Sequence, residues 1–154
     1  MIDVAAMPSQ ADPPFALAPD MILDLPFPPS VNRTRKLDFS SLRVVNAWKN
    51  VANAYVMAAK SRKDSPLKLA KVSRFELHIV MSERSRADLD NGLKALIDYL
   101  RKIELIEDDS PKHMRRLVVE FGHAPHGCRV TVKPMPGLNE VLRTAAERAE
   151  RASS

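Results

Sequence analysis

Four short stretches of this chain alternate apolar and polar residues with a period of two, and that pattern limits the fold more than any other feature. They are Met21, Leu23, Leu25, Phe27; then Phe75, Leu77, Ile79 set between Arg74, Glu76, His78; then Leu117, Val119, Phe121; and last Cys128, Val130, Val132. A period of two sends alternate side chains to opposite faces of a sheet, so each stretch predicts a strand with one buried face. Between the first two, Val44, Trp48, Val51, Tyr55 and Ala58 follow helical spacing and predict a helix from Arg43 to Lys60. Leu89, Leu93, Leu96, Ile97 and Leu100 predict a second, from Asp90 to Lys102. The order β-α-β-α-β-β predicts an α+β fold, a small mixed sheet with helices packed on one face. The GHAPHG link from Gly122 to Gly127 predicts that the last two strands form an antiparallel hairpin.

Domain limits follow from the same reading. Residues 1–20 carry four prolines and no periodicity, which predicts a disordered leader. Residues 21–134 hold all four alternating stretches and form the expected folded domain. Residues 135–154 are charged and alanine-rich, which predicts a peripheral C-terminal helix over Asn139 to Arg151. No apolar run reaches the length of about 18 residues that a membrane span requires. The single cysteine, Cys128, cannot form an internal disulfide or a thiolate zinc site by itself; a cytoplasmic location is expected. Without a P-loop or a dinucleotide fingerprint, no nucleotide cofactor is expected.

Charge is unevenly spread. The chain has 24 Lys and Arg against 19 Asp and Glu, a net +5. From Arg33 to Arg74 there are eleven basic residues and two aspartates, a local +9. From Asp88 to Asp109 there are seven acids and three bases, a local −4. A basic surface beside an acidic cluster suits a polyanion held near bound cations, or simply basic side chains that solvate a helix and its loops; nucleic acid is a candidate partner.

The acidic cluster opens with RADLDNGLK, Arg86 to Lys94. Aspartate is a favoured N-cap and first-turn acids suit the helix dipole, so Asp88 or Asp90 alone has a structural explanation. The pair does not, because neighbouring carboxylates repel unless a cation lies between them. Magnesium is a hard ion that takes oxygen ligands and often uses only a few carboxylates. Asp108 and Asp109 offer a further ligand or simply an acidic turn. Spacing alone does not bring Asp109 back to Asp88, since a helix of about a dozen residues is some 20 Å long. Lys94 falls one turn after Asp90, either as a surface ion pair or as a cation aimed at a phosphate. His123 and His126 stand in a Gly/Pro link without further obvious ligands.

Taken together, these segments resemble the RusA family of Holliday junction resolvases. LPFPPSVNR (Leu25 to Arg33) is similar to the family's proline-rich opening. RADLDNGLK is similar to its D-L-D-N-x-x-K core, and IEDDSPK (Ile106 to Lys112) to its Asp-Asp pair, with Asp109 nineteen residues after Asp90. HGCRVTV resembles its entry into a last strand. The resemblance covers residues 21–134; the leader, the C-terminal helix and Val31 depart from it.

The resemblance implies a homodimer that cuts four-way DNA junctions with Mg²⁺, with Asp88, Asp90 and Asp109 as metal-binding catalytic residues and Lys94 as the active-site lysine. Residues expected against the DNA are Asn32, Arg33, Arg35, Lys36, Lys60, Arg62, Lys63, Arg86 and Asn91. The rival expectations are a metal-dependent nuclease for flaps or other branched DNA, and a DNA-binding protein without catalysis.

Overall fold

All four alternating stretches form strands of a single mixed sheet. The computed structural model describes residues 19–29, 39–68, 71–84 and 92–153. The elements are β1 (Met21–Pro26), α1 (Phe39–Lys60), β2 (Phe75–Ser82), α2 (Leu93–Lys102), β3 (Met114–Gly122), β4 (Gly127–Pro134) and α3 (Leu138–Ser153). Residues Pro19–Met135 make one compact unit, and α3 belongs to a second. The expected leader lies largely outside the described residues. No described helix is long and apolar enough to cross a membrane.

The strand order is β1-β4-β2-β3, with β4 antiparallel to both β1 and β2, and β2 parallel to β3. This confirms the α+β class and corrects the expected hairpin. β3 and β4 do not pair; β2 lies between them, and the 122–127 link carries the chain past its end. Two physical terms favour this. A strand, a helix and a parallel strand form a crossover that α2 is long enough to make, which places β3 directly beside β2. β4, with Cys128, Val130 and Val132 all buried, then takes the interior position. β3 carries Arg115, Arg116 and Glu120 exposed and suits an edge.

The register puts one residue set on one face. Leu23, Val130 and Ile79 align across the sheet, as do Leu25, Cys128 and Met81, and all six are buried beneath α1 and α2. The opposite face is polar, and there Asp24 accepts two hydrogen bonds from Arg129, at 2.8 and 3.1 Å. That carboxylate raises the arginine's pKa above its ordinary value. Burial, helped by Asp24, pushes the Cys128 thiol up to about 12, so it packs as a small hydrophobe, as its alternation implies.

The apolar stripe of α1 is rotated from the expected one. Trp48, Ala52, Val56 and Ala59 face the core, while Val44 and Val51 are half exposed. Two alanines let the helix approach the sheet closely, and an Ala stripe is weaker in a hydrophobicity pattern than the valines beside it. Trp48 decides the orientation: its indole donates to the Pro26 carbonyl at 2.9 Å and meets the Tyr99 ring edge-on at 5.0 Å. Tyr99, whose hydroxyl is pushed up to about 12 by burial, donates to Asn53 at 2.8 Å.

Gly127 opens β4 at a φ of 124°, and a Cβ there would lie 2.5 Å from the Phe27 nitrogen. Both the backbone angle and the space exclude a side chain. Gly127→Ala should therefore cost about 3 kcal/mol of stability in chemical denaturation. A change under about 0.5 kcal/mol would show that the link absorbs the residue freely.

Candidate metal and DNA-binding site

Three of the four segments that carry the family resemblance meet at one end of the sheet. β1 and β2 both finish there, and β4 begins there opposite them, with Pro26 paired to Gly127 and Met81 to Cys128. Past β1, Phe27 lies against Gly127 and the buried Pro28 against Gly92. A Cβ at Gly92 would come 2.7 Å from the Pro28 Cγ, so this approach explains the glycine of DNGLK.

Gly92 is also the N-cap of α2. Its carbonyl accepts from the Leu96 amide at 3.1 Å, and among the described residues no side chain caps the helix and no acid lies in its first turn. Among the described residues the helix begins at Leu93. Asp88 and Asp90 themselves lie outside the described residues, as do Arg86, Asn91, Asn32, Arg33, Arg35 and Lys36. Lys94 is described: it stands exposed in the first turn of α2. A cavity of about 520 Å³ at the same end is lined by Ser82, Glu83, Arg84, Gly122 and His123 among others. Its walls come from two separate segments, 82–84 and 122–127, so no local motif announces them. His126 does not join this group; its ring tilts against Tyr55 at 5.1 Å.

Asp109 lies elsewhere. Arg101, in the last turn of α2, reaches Asp108 at 3.3 Å and Asp109 at 3.7 Å. Residues 105–107 are tied to Val72, ahead of β2, by hydrogen bonds at 3.0 Å from Val72 to Leu105 and from Glu107 to Val72. The chain returns along the sheet only in β3, after Asp109. Lys94 and Arg101 are seven residues apart, a rise of roughly 10 Å along α2. The described residues therefore do not bring Asp109 to Lys94. Among them, no three His, Cys, Asp or Glu side chains gather as a metal site. Oxygen-donating carboxylates are the donor type that suits a hard cation.

The basic stretch is divided too. α1 is 22 residues long, roughly 33 Å, and Lys60, Arg62 and Lys63 lie exposed where it ends. Lys60 joins Lys68 and Lys71 around a cavity of about 550 Å³ floored by Leu23, Val56 and Leu105 and bordered by Glu104. That cationic group stands at the Asp109 end of α2.

No protein-family model matches the chain, and no curated protein matches it.

The Asp108 carboxyl sits below the ordinary carboxylate range, first because the Asp109 amide donates to it at 2.9 Å and only last because of Arg101. Its small stabilising effect is therefore present above the ordinary carboxylate pKa and is lost as pH falls through the lowered one. In Arg101→Ala, an NMR titration should find Asp108 still lowered and the thermal midpoint nearly unchanged. A return of Asp108 to the ordinary range would make Arg101 the main cause.

Proposed function

We propose that the chain is a metal-dependent endodeoxyribonuclease of the RusA type that resolves four-way DNA junctions as a homodimer. The observation that carries the reading is the meeting of Phe27 with Gly127 and of Pro28 with Gly92, at the end where Lys94 stands exposed. The segments on which the resemblance rests are distant in sequence, and a shared site is a reason for them to converge.

In this reading Asp88 and Asp90 would hold Mg²⁺, and the resemblance adds Asp109 as a third carboxylate, although within one chain it stands with Arg101 near the other end of α2. When bound, the ion supplies Lewis acidity and lowers the pKa of a water molecule. Lys94 directs its ammonium group at the scissile phosphate and stabilises charge that develops on it. The basic groups, Lys60, Arg62 and Lys63 together with Asn32, Arg33, Arg35, Lys36, Arg86 and Asn91, hold the DNA against the protein, mostly through phosphates. A two-fold dimer presents two equivalent sites to a junction that must be nicked in two symmetric strands.

The deciding experiment is incubation with a synthetic four-way junction and a matched linear duplex, with and without Mg²⁺. Paired nicks in the junction alone, dependent on the ion, are expected. Equal cutting of flaps would move the substrate class to branched DNA in general, and no cutting would leave a binding protein.

Asp→Asn changes separate a metal site from a helix cap, because Asn caps about as well as Asp. Asp88→Asn and Asp90→Asn should each lower the nicking rate by about 10²-fold or more while junction affinity is kept. Asp109→Asn should do the same and Asp108→Asn less; Lys94→Ala should slow nicking without removing metal binding. Wild-type nicking by Asp90→Asn would end the metal-site reading, and wild-type nicking by Asp109→Asn would confine the set to Asp88 and Asp90.

Affinity should depend on the basic end of α1. Replacing Lys60, Arg62 and Lys63 with Ala should reduce the slope of log K against log salt by about 3, roughly one per phosphate contact. An unchanged slope would show these side chains to be solvated and away from the DNA.

A further inference from the structure

β3 is a nine-residue strand with one side bonded to β2 and, among the described residues, nothing bonded to the other. Long open edges invite pairing with another chain. Register with β2 sorts its side chains. Leu117, Val119 and Phe121 align with Leu77, Ile79 and Met81, on the face the helices cover; Arg116, Val118 and Glu120 align with Glu76, His78 and Val80, on the polar face. Although they sit on the core face, Leu117 and Phe121 are 39% and 42% exposed, so α1 and α2 do not reach over them.

We propose that this edge binds a second copy of the chain, β3 against β3, antiparallel about a two-fold axis at Val118. The strand is self-complementary about that residue. Arg116 lies two positions before it and Glu120 two after, so each arginine stands opposite Glu120 of the partner subunit, twice per dimer. An isologous interface requires this reciprocity, in which residue i meets residue j and j meets i. Within one chain both groups are only partly engaged: Glu120 with His78 at 3.0 Å and Arg116 with Glu76 at 4.0 Å. Their side chains remain 56% and 66% exposed, free to take a second ion partner across the edge. On the other face Leu117 stands opposite Val119 of the partner subunit, and the two exposed apolar strips cover each other. Strand pairing satisfies the edge amides and carbonyls, and two four-stranded sheets become one of eight. The inference rests on the dimer of the proposed function and not on its chemistry.

The test is sedimentation velocity on the full chain over a micromolar concentration series, with the thermal midpoint of each variant taken at low concentration. The wild type should associate as a dimer. Arg116→Glu and Glu120→Arg each place like charges opposite one another, and each should weaken association by about tenfold or more. The double variant R116E/E120R restores opposite charges at both positions and should recover most of the affinity. Leu117→Asp should give a folded monomer. A wild type that stays monomeric overturns both the interface and the dimer. A dimer indifferent to every variant overturns the interface alone, and single losses that the double variant does not repair overturn the pairing register. Nicking is not the readout, so a chain that fails to cut DNA leaves this test intact.

Discussion

The bond from the Trp48 indole to the Pro26 carbonyl is the contact on which the rest of the arrangement depends. It joins the middle of α1 to the last residue of β1, and the same ring packs against Tyr99 of α2. Tyr99 completes the link by donating back to Asn53, one turn beyond Trp48 on α1. Three elements far apart in sequence are thus held by one large ring with a polar handle, which aromatic residues do well. Because Pro26 is held, the following Phe27 and Pro28 are delivered to Gly127 and Gly92. The start of α2, and with it Lys94, is placed through that contact.

Much of the fold is legible in the residues because alternation is a strong signal where one face is buried. β2 and β4 show it cleanly, with Phe75, Leu77, Ile79, Cys128, Val130 and Val132 all fully buried. Pairing is a different matter. The 122–127 link is short enough for a hairpin, and nothing local says that its strands have a third between them. That depends on a competition for the central position, which β4 wins with its apolar face and β3 loses with its charges. The stripe of α1 was misleading for a related reason: Ala52 and Ala59 count little in hydrophobicity, yet their small size is what lets the helix lie close to the sheet.

The candidate site was legible as chemistry more than as geometry. The carboxylate pair, the lysine and the later Asp-Asp step can each be read from the chain, but their distances cannot. Asp109 stands with Arg101 because residues 105–107 are held by Val72, a backbone interaction that no side-chain motif encodes. The Pro28 contact with Gly92 is likewise invisible in sequence, although a glycine directly before a helix is a position where close approach can be suspected. The polar groove at Glu83 and His123 is assembled from two segments, and only the sheet topology brings them together.

The position of β1 has a consequence for how the protein is made. Its only strand partner among the described residues is β4, and Asp24 and Arg129, which join the two, are 105 residues apart. During synthesis Met21, Leu23 and Leu25 must therefore leave the ribosome long before the strand that pairs with them exists. At ordinary elongation speeds the wait is roughly 5–20 s. β2, α2 and β3 are contiguous and can assemble in that interval, but the sheet cannot close until nearly the last residue of β4 has emerged. An early strand held open by a late partner makes the nascent chain, more than the finished protein, the form most in need of protection by a chaperone.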